Sequence, residues 1–314
     1  MTGPRILVAG REGQVARALR EADADATIVA LGRPDLDLTD PATLRRAVAD
    51  VAPDIVVNAA AYTAVDRAEE EPDAAMAVNA VGAGHLAGAA AARGIPLIHL
   101  STDYVFDGRL GRPYREDDPV GPAGAYGRSK LDGERRVSET MGAAGGRHAI
   151  VRTSWVHAPY GGNFVRTMLR LAEARDEVRV VADQRGRPTY APHMADALLA
   201  LARAMLSDDG VDEGASSGAG SRASGGVGGT FHVAGGGETT WAGLAGAVFE
   251  ASGALGGPVA RVVPIGTVDY PTAAARPPDS RLDTSRFEAA TGHVMPPWRD
   301  GVRACVAALL ERAD

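Results

Sequence analysis

The chain has 314 residues, 23% of them charged, with a net charge of −7 and an isoelectric point near 5.6. That length holds one large core or two modest ones, and the acidic balance argues against a nucleic-acid partner or an anionic membrane surface. Cys305 is the only cysteine, so no internal disulfide can form, and within Arg303-Ala304-Cys305-Val306 it reads as a packed helix residue.

The first residues lead directly into Arg5-Ile6-Leu7-Val8-Ala9-Gly10, an apolar run right for a buried strand and too short to span a membrane. No room precedes it for a signal peptide and no apolar stretch approaches membrane length, so the expected location is the cytoplasm and no membrane partner is expected. The run continues into Gly10-Arg11-Glu12-Gly13-Gln14-Val15-Ala16 and a helical pattern. Strand, glycine turn and helix suit a dinucleotide: Gly10 and Gly13 let backbone approach a pyrophosphate, and the helix start at Gln14 and Val15 offers free N–H groups. The spacing is Gly-x-x-Gly-x-x-Ala, a weaker signature than the common Gly-x-Gly-x-x-Gly.

A second strand, Thr27–Leu31, is followed by Gly32-Arg33-Pro34-Asp35-Leu36-Asp37-Leu38, where an adenosine ribose is expected. Arg33, with Arg11 from the first loop, suits a 2′-phosphate, which favours NADPH while leaving NADH acceptable. Asp40-Pro41 reads as the cap and first-turn proline of a helix. A third strand, Ile55–Asn58, ends in small residues through Ala61, Tyr62 and Thr63, against which a cofactor can lie flat. Glu69-Glu70-Glu71 before Pro72 reads as a solvated first turn suited to the helix dipole, and Gly94 stops the next helix. A fourth strand, Leu97–Leu100, delivers Ser101-Thr102-Asp103. His99 and His232 sit inside apolar runs as core residues, and the seven histidines show no metal spacing.

Tyr126 and Lys130 are four residues apart, on one face of a predicted helix. An ammonium beside a phenol favours the phenolate and draws its pKa from about 10 towards the working pH. Such a tyrosine can give a proton to a carbonyl under reduction. Thr102, 24 residues earlier (126 − 102), is placed to hydrogen-bond the same reacting oxygen.

Alternating strands and helices predict an α/β fold: a Rossmann-type, doubly wound parallel sheet with a second, smaller α/β substrate domain. The NADP-binding domain is expected at residues 1–153, with 190–206 and 230–234 returning to it. Residues 154–314 are expected to be mainly substrate-binding. Residues 208–229, rich in glycine and serine, read as a flexible surface insertion.

Gly-x-x-Gly-Gln-Val, Asn-Ala-Ala-Ala-Tyr-Thr-Ala-Val-Asp (58–66), Ser-Thr-Asp-Tyr-Val-Phe-Asp-Gly (101–108) and Tyr-Gly-Arg-Ser-Lys occur in that order. Arg152-Thr153-Ser154-Trp155-Val156, Gly162-Asn163-Phe164, Phe231-His232-Val233-Ala234-Gly235 and Arg276-Pro277 follow. The set resembles the extended short-chain dehydrogenase/reductases and, within them, the dTDP-4-dehydrorhamnose reductase family, over essentially the whole chain. The resemblance implies NADPH-dependent reduction of the C4 keto group of a dTDP-linked 4-keto-6-deoxysugar, dTDP-4-dehydro-L-rhamnose, and is compatible with a homodimer. It implies that Tyr126 is the proton donor, that Lys130 tunes it and binds the nicotinamide ribose, and that Thr102 fills the usual serine or threonine place. Asp103 and Trp155 would touch the sugar. Gly10, Gly13, Gln14 and Val15 would hold the pyrophosphate, Asp37 and Leu38 flank the adenine, and Ala61 to Thr63 line the cofactor. Two positions depart from the pattern. Glu12 stands where a small or hydroxyl residue is usual and must point to solvent or pair with Arg11. Positions where some members place Mg²⁺-binding glutamates are Ala18 and Pro192, so no metal is expected. The alternatives are a sister 4-ketoreductase making another deoxysugar, or a non-catalytic nucleotide-sensing subunit on the same fold. Presence of Thr102, Tyr126 and Lys130 together argues against the second.

Overall fold

Five apolar runs become neighbouring strands in the computed structural model, which describes residues 3–22, 25–207 and 227–311. They are β1 (Arg5–Ala9), β2 (Thr27–Leu31), β3 (Ile55–Asn58), β4 (Leu97–Thr102) and β5 (His148–Thr153). The strand Gly229–His232 joins them, and all pairings are parallel. The order is Gly229–His232, β5, β4, β3, β1, β2, so the winding reverses between β1 and β3. Crevices that take ligands open at such a reversal, outside the carboxyl ends of the strands. Most of the predicted insertion, residues 208–226, lies outside the described residues.

The strands read as continuous apolar runs because helices cover both faces of the sheet. Ile6, Val8, Val57 and Val151 meet helix α1 (Gln14–Glu21) on one side, together with Met194, Leu198 and Leu201 of the helix Ala191–Ser207. Leu7, Val56 and Ile150 face the other way, against α2 (Pro41–Val51), α5 (Ala83–Ala91) and α6 (Ala125–Ala143). Asp40 caps α2, its carboxylate accepting from Ala42 N at 2.9 Å, with Pro41 in the first turn. A separate cluster joins α7 (Phe164–Ala172), the paired strands Glu177–Val181 and Arg261–Ile265, and the helices Trp241–Ala254 and Trp298–Leu310. Cys305 is buried there, and burial pushes its thiol up to about 12.

Between β3 and β4 the chain runs through α3 (Arg67–Glu70), α4 (Pro72–Met76), a π-helical turn (Ala77–Gly82) and α5. Contrary to the sequence expectation, Pro72–Ala91 does reach membrane length, 20 residues at a mean hydropathy of 1.2. Half of it is buried inside the fold, where α5 and the π-helical turn pack on α6. The glutamates before it also do more than face water. Glu69 accepts from Ala125 N at 2.7 Å and so caps α6, whose own cap residue is Gly124. Glu71 accepts from the Tyr62 hydroxyl at 2.9 Å and from Arg67.

Helix α6 approaches its neighbours through glycines. A Cβ at Gly133 would lie 2.1 Å from the Asn79 carbonyl oxygen in the π-helical turn, and one at Gly127 would lie 2.2 Å from the Tyr104 carbonyl oxygen. Backbone atoms cannot yield as a flexible side chain can. Gly133→Ala is therefore expected to lower stability by about 1–3 kcal/mol despite alanine's better helix propensity. Thermal unfolding of the variant checks this; an unchanged or raised midpoint would show that the two helices separate freely.

Candidate active site

The glycine turn builds one end of the site. Gly10 has φ +116°, a conformation that side chains disfavour, and a Cβ on it would lie 3.4 Å from the Ala59 backbone. Behind it α1 starts at Gly13-Gln14 with no side chain capping its first N–H groups. Gln14 is held from across the crevice by Asn163, whose amide donates to its side-chain oxygen at 3.0 Å. Glu12 is exposed.

At the β2 corner the structure corrects the expectation of two free arginines. Arg11 is paired with Asp35 at 2.5 Å, a tertiary contact that places a carboxylate where the sequence suggested only cations. Arg33 is exposed and makes no ion pair among the described residues. The Asp37 carboxylate accepts from Thr39 N at 2.9 Å and Thr39 Oγ1 at 2.7 Å, and these bonds hold its pKa below the ordinary value. Leu38 is buried beside it.

The loop after β3 is held from behind. Tyr62 N donates to Asn79 Oδ1 at 2.8 Å, while Asn79 Nδ2 donates to the Tyr62 carbonyl at 3.0 Å and to Ser129 Oγ at 2.9 Å. Asn79 thus ties Ala61–Thr63 to the turn of α6 that follows Tyr126. It sits in the π-helical turn, a local irregularity of a kind common at functional sites.

The floor is made by β4 and α6. The strand runs two residues further than its apolar stretch, so Thr102 is its last residue and Asp103 opens a short turn. Thr102 Oγ1 donates to Asp103 Oδ1 at 3.0 Å and accepts from Tyr104 N at 3.2 Å. Burial pushes the Asp103 carboxyl up to about 6, against the Ser280 and Thr102 hydroxyls. The Tyr126 ring meets Tyr104 edge-on at 5.7 Å. Its phenol is not drawn down as expected: burial pushes it up to about 12, the Thr102 hydroxyl opposes this, and Asp103 adds to it. Lys130 is itself buried, which pulls its pKa down to about 8 against the pull of Glu134 one turn on. Its Nζ donates to the Leu100 carbonyl at 2.6 Å. Desolvation is the largest cause of both shifts.

Trp155 stands on the far wall at φ +49°, stacked on Trp241 with centroids 3.6 Å apart and planes 9° from parallel. Gly186 also lies against the indole, where a Cβ would come within 2.4 Å of it. A bulky residue in this backbone conformation persists only where its surroundings hold it.

One crevice of about 1650 Å³ joins these parts, and all sixteen candidate residues line it: Gly10, Arg11, Gly13, Gln14, Val15, Arg33, Asp37, Leu38, Ala61, Tyr62, Thr63, Thr102, Asp103, Tyr126, Lys130 and Trp155. The whole chain has relatives of the same plan. Residues 4–311 match the family model described as the RmlD substrate binding domain. A dTDP-4-dehydrorhamnose reductase of Sinorhizobium fredii is 46% identical over 98% of both chains. The chain belongs to the dTDP-4-dehydrorhamnose reductase family. Its member from Escherichia coli K12 is 38% identical over 95% of both chains. The crystal structure of the Bacillus anthracis reductase in complex with NADP superposes with a TM-score of 0.84, at 32% identity, covering 97% of this chain and 99% of that one.

For a reductase of this family the lining fits a dinucleotide on its own geometry. The glycine turn leaves the room a Cβ would take, the start of α1 offers uncapped N–H groups, and Arg33 supplies an uncommitted cation. Among the described residues no three His, Cys, Asp or Glu side chains gather as metal ligands would, and Ala18 is buried in the α1 interface. Sequence reasoning passed over Asn79, Glu134, and the Asp66–Arg276 pair on the crevice wall. Arg276 donates to both Asp66 oxygens, at 2.9 and 2.6 Å, and pulls that carboxyl down to about 2. One signal was available in the composition itself. Lys130 is the only lysine in the chain, so the other 32 of its 33 cationic residues are arginines (33 − 1). Arginine serves everywhere a solvated or paired cation is enough; lysine stands only where a compact, pKa-tunable ammonium meets the crevice.

Proposed function

We propose that this chain reduces the C4 keto group of dTDP-4-dehydro-L-rhamnose to give dTDP-L-rhamnose, using NADPH. The observation that carries the reading is the convergence of Thr102, Tyr126 and Lys130 at the floor of a crevice whose other end is the glycine cradle. The family relatives, matched over nearly their whole length, support it. In this reading residues 1–153 supply the cofactor half of the crevice, and Trp155 with the residues beyond it supplies the sugar half.

When bound, NADPH supplies the hydride that the carbonyl carbon takes. The residues of the chain do the rest. Tyr126 is protonated at neutral pH, as any phenol is, and burial raises its pKa further, to about 12, so the proton it gives to the oxygen of a carbonyl under reduction is present on the side chain. The Thr102 hydroxyl, near that phenol, holds the same oxygen in place. Lys130 stabilises the phenolate left behind, at the moment when burial alone would oppose it most. Asp103 and Trp155 would orient the sugar, and Arg33 would hold the 2′-phosphate.

Incubating the protein with dTDP-4-dehydro-L-rhamnose and NADPH tests the reading. Oxidation of NADPH with formation of dTDP-L-rhamnose is expected; no oxidation, or a different product sugar, would overturn it. Tyr126→Phe is expected to lower kcat by at least ~10², while cofactor binding measured by fluorescence titration stays near wild type. A variant keeping most of its turnover would remove Tyr126 from the chemistry.

The Arg11–Asp35 pair changes what is expected of the cofactor corner. With Arg11 engaged, one charge-assisted contact rather than two distinguishes NADPH from NADH. Arg33→Ala should reduce kcat/KM for NADPH by about tenfold, equivalent to ~1.4 kcal/mol, with little change for NADH. Arg11→Ala should have the smaller effect. The reverse ranking would show that Arg11 leaves Asp35 to reach the phosphate.

A further inference from the structure

A guanidinium carries five N–H donors in a fixed planar fork, and the donors its partners leave over decide what else it can hold. In Arg276 three are engaged. Nη1 donates to Asp66 Oδ1 at 2.9 Å and to the Ala274 carbonyl at 2.8 Å, and Nη2 donates to Asp66 Oδ2 at 2.6 Å. The carboxylate therefore takes the end of the fork. The two remaining N–H groups, on Nε and Nη2, are neighbours along its side and have no partner among the described residues. This is the edge that Arg152 turns to Glu134, through Nε at 2.9 Å and Nη2 at 2.7 Å, so it suits a pair of anionic oxygens. The segment that carries Arg276 is fixed as well. Ala274 N donates to Asp66 Oδ1 at 3.0 Å, and Pro277 and Pro278 press on Gly108, where a Cβ would come within 2.7 Å of either.

Four cations line the crevice: Arg11, Arg33, Lys130 and Arg276. Arg11 is paired with Asp35 at the β2 corner, where Arg33 also stands, and Lys130 is held at the floor by the Leu100 carbonyl. Among the described residues Arg276 is then the one cation on the sugar half. Burial raises the Tyr104 phenol well above its ordinary value, Asp103 adds to this, and Arg276 opposes it, so the guanidinium lies beside a ring that itself meets Tyr126 edge-on. A sugar whose C4 is at Tyr126 carries its nucleotide on C1, across the ring, and brings a doubly charged diphosphate to this neighbourhood. We propose that Arg276 receives the diphosphate of the sugar nucleotide on its Nε–Nη2 edge, while Asp66 holds the other end of the guanidinium so that this edge is presented ready-made. A fork already fixed in place loses little freedom when the phosphate arrives. Asp66 is half exposed, at 48%, so water screens its charge from the incoming anion.

This inference rests on the reductase reading and deepens it, but its main test needs no turnover. Binding of dTDP, which carries the diphosphate without the reacting sugar, is measured by isothermal titration calorimetry on protein loaded with NADP⁺. Arg276→Gln should weaken dTDP binding at least ~10-fold while NADP⁺ binding stays within about twofold of wild type. KM for the dTDP-sugar should rise by a like factor. Arg276→Lys keeps the charge and can still pair with Asp66 but offers no planar edge, so its dTDP affinity should fall between those of wild type and Arg276→Gln. It decides the matter if Arg276→Gln does not fold. Wild-type dTDP affinity in folded Arg276→Gln, or in Arg276→Lys when that is the only folded variant, would overturn the proposal. Equal weakening of dTDP and NADP⁺ would do the same, since it marks a pair that only supports the fold. A wild-type protein that binds dTDP through Arg276 yet leaves the dTDP-sugar unreduced would sink the reductase reading and uphold the diphosphate site.

Discussion

A single ammonium taken out of water between α6 and the parallel sheet is the constraint on which the site depends. Burying a charge of this size costs several kcal/mol unless partners replace the lost hydration. Here the partners are the Leu100 carbonyl and the Glu134 carboxylate one turn along the helix. Glu134 is in turn neutralised: it accepts from Arg152 at 2.9 and 2.7 Å and from Ser101 Oγ at 2.5 Å. Removing one member of such a buried pair typically costs about 3–5 kcal/mol, because the other charge is left stranded. Tyr126, Lys130 and Glu134 form one stripe along α6, and the stripe is bolted at both its lower positions to β4 and β5. The phenol's place in the crevice follows from that anchoring.

The same helix carries the constraint outward. Glycines at 127 and 133 let its backbone lie almost on the carbonyls of Tyr104 and Asn79. The π-helical turn turns Asn79 towards both Ser129 of α6 and the Tyr62 backbone. The loop after β3, helix α6 and the apolar stretch between β3 and β4 are thus one interlocked unit. On the opposite wall, Trp155 is held by Trp241 and by the close approach of Gly186, in a backbone conformation that it would not adopt freely.

Much of this was legible in the residues, and the gaps have a common physical cause. Apolar runs bounded by glycine or proline marked the strands because both sheet faces are covered, and Asp40-Pro41 marked a helix start because capping is local chemistry. Most of the sixteen candidate residues meet in one crevice because they follow the carboxyl ends of strands, a position that chain order reveals, while Tyr126 and Lys130 reach it from α6. The misreadings are all tertiary. Arg11 looked free until Asp35, 24 residues on, was seen to reach it. Glu69 looked solvated because the helix it caps starts 56 residues later. The sign of the Tyr126 shift was misjudged because the sequence shows which charges are near but not how much water they have lost.

The central claim is that position 130 needs lysine chemistry and not merely a cation. Lys130→Arg keeps the charge in a chain that uses arginine at every other cationic position, so it tests the claim directly. With the fold verified by circular dichroism and thermal unfolding, kcat for the dTDP-sugar reduction is the decisive quantity. A planar guanidinium cannot take the place of a compact ammonium held against the Leu100 carbonyl, and kcat is expected to fall by at least ~10². A folded Lys130→Arg protein with turnover within about twofold of wild type would contradict the account.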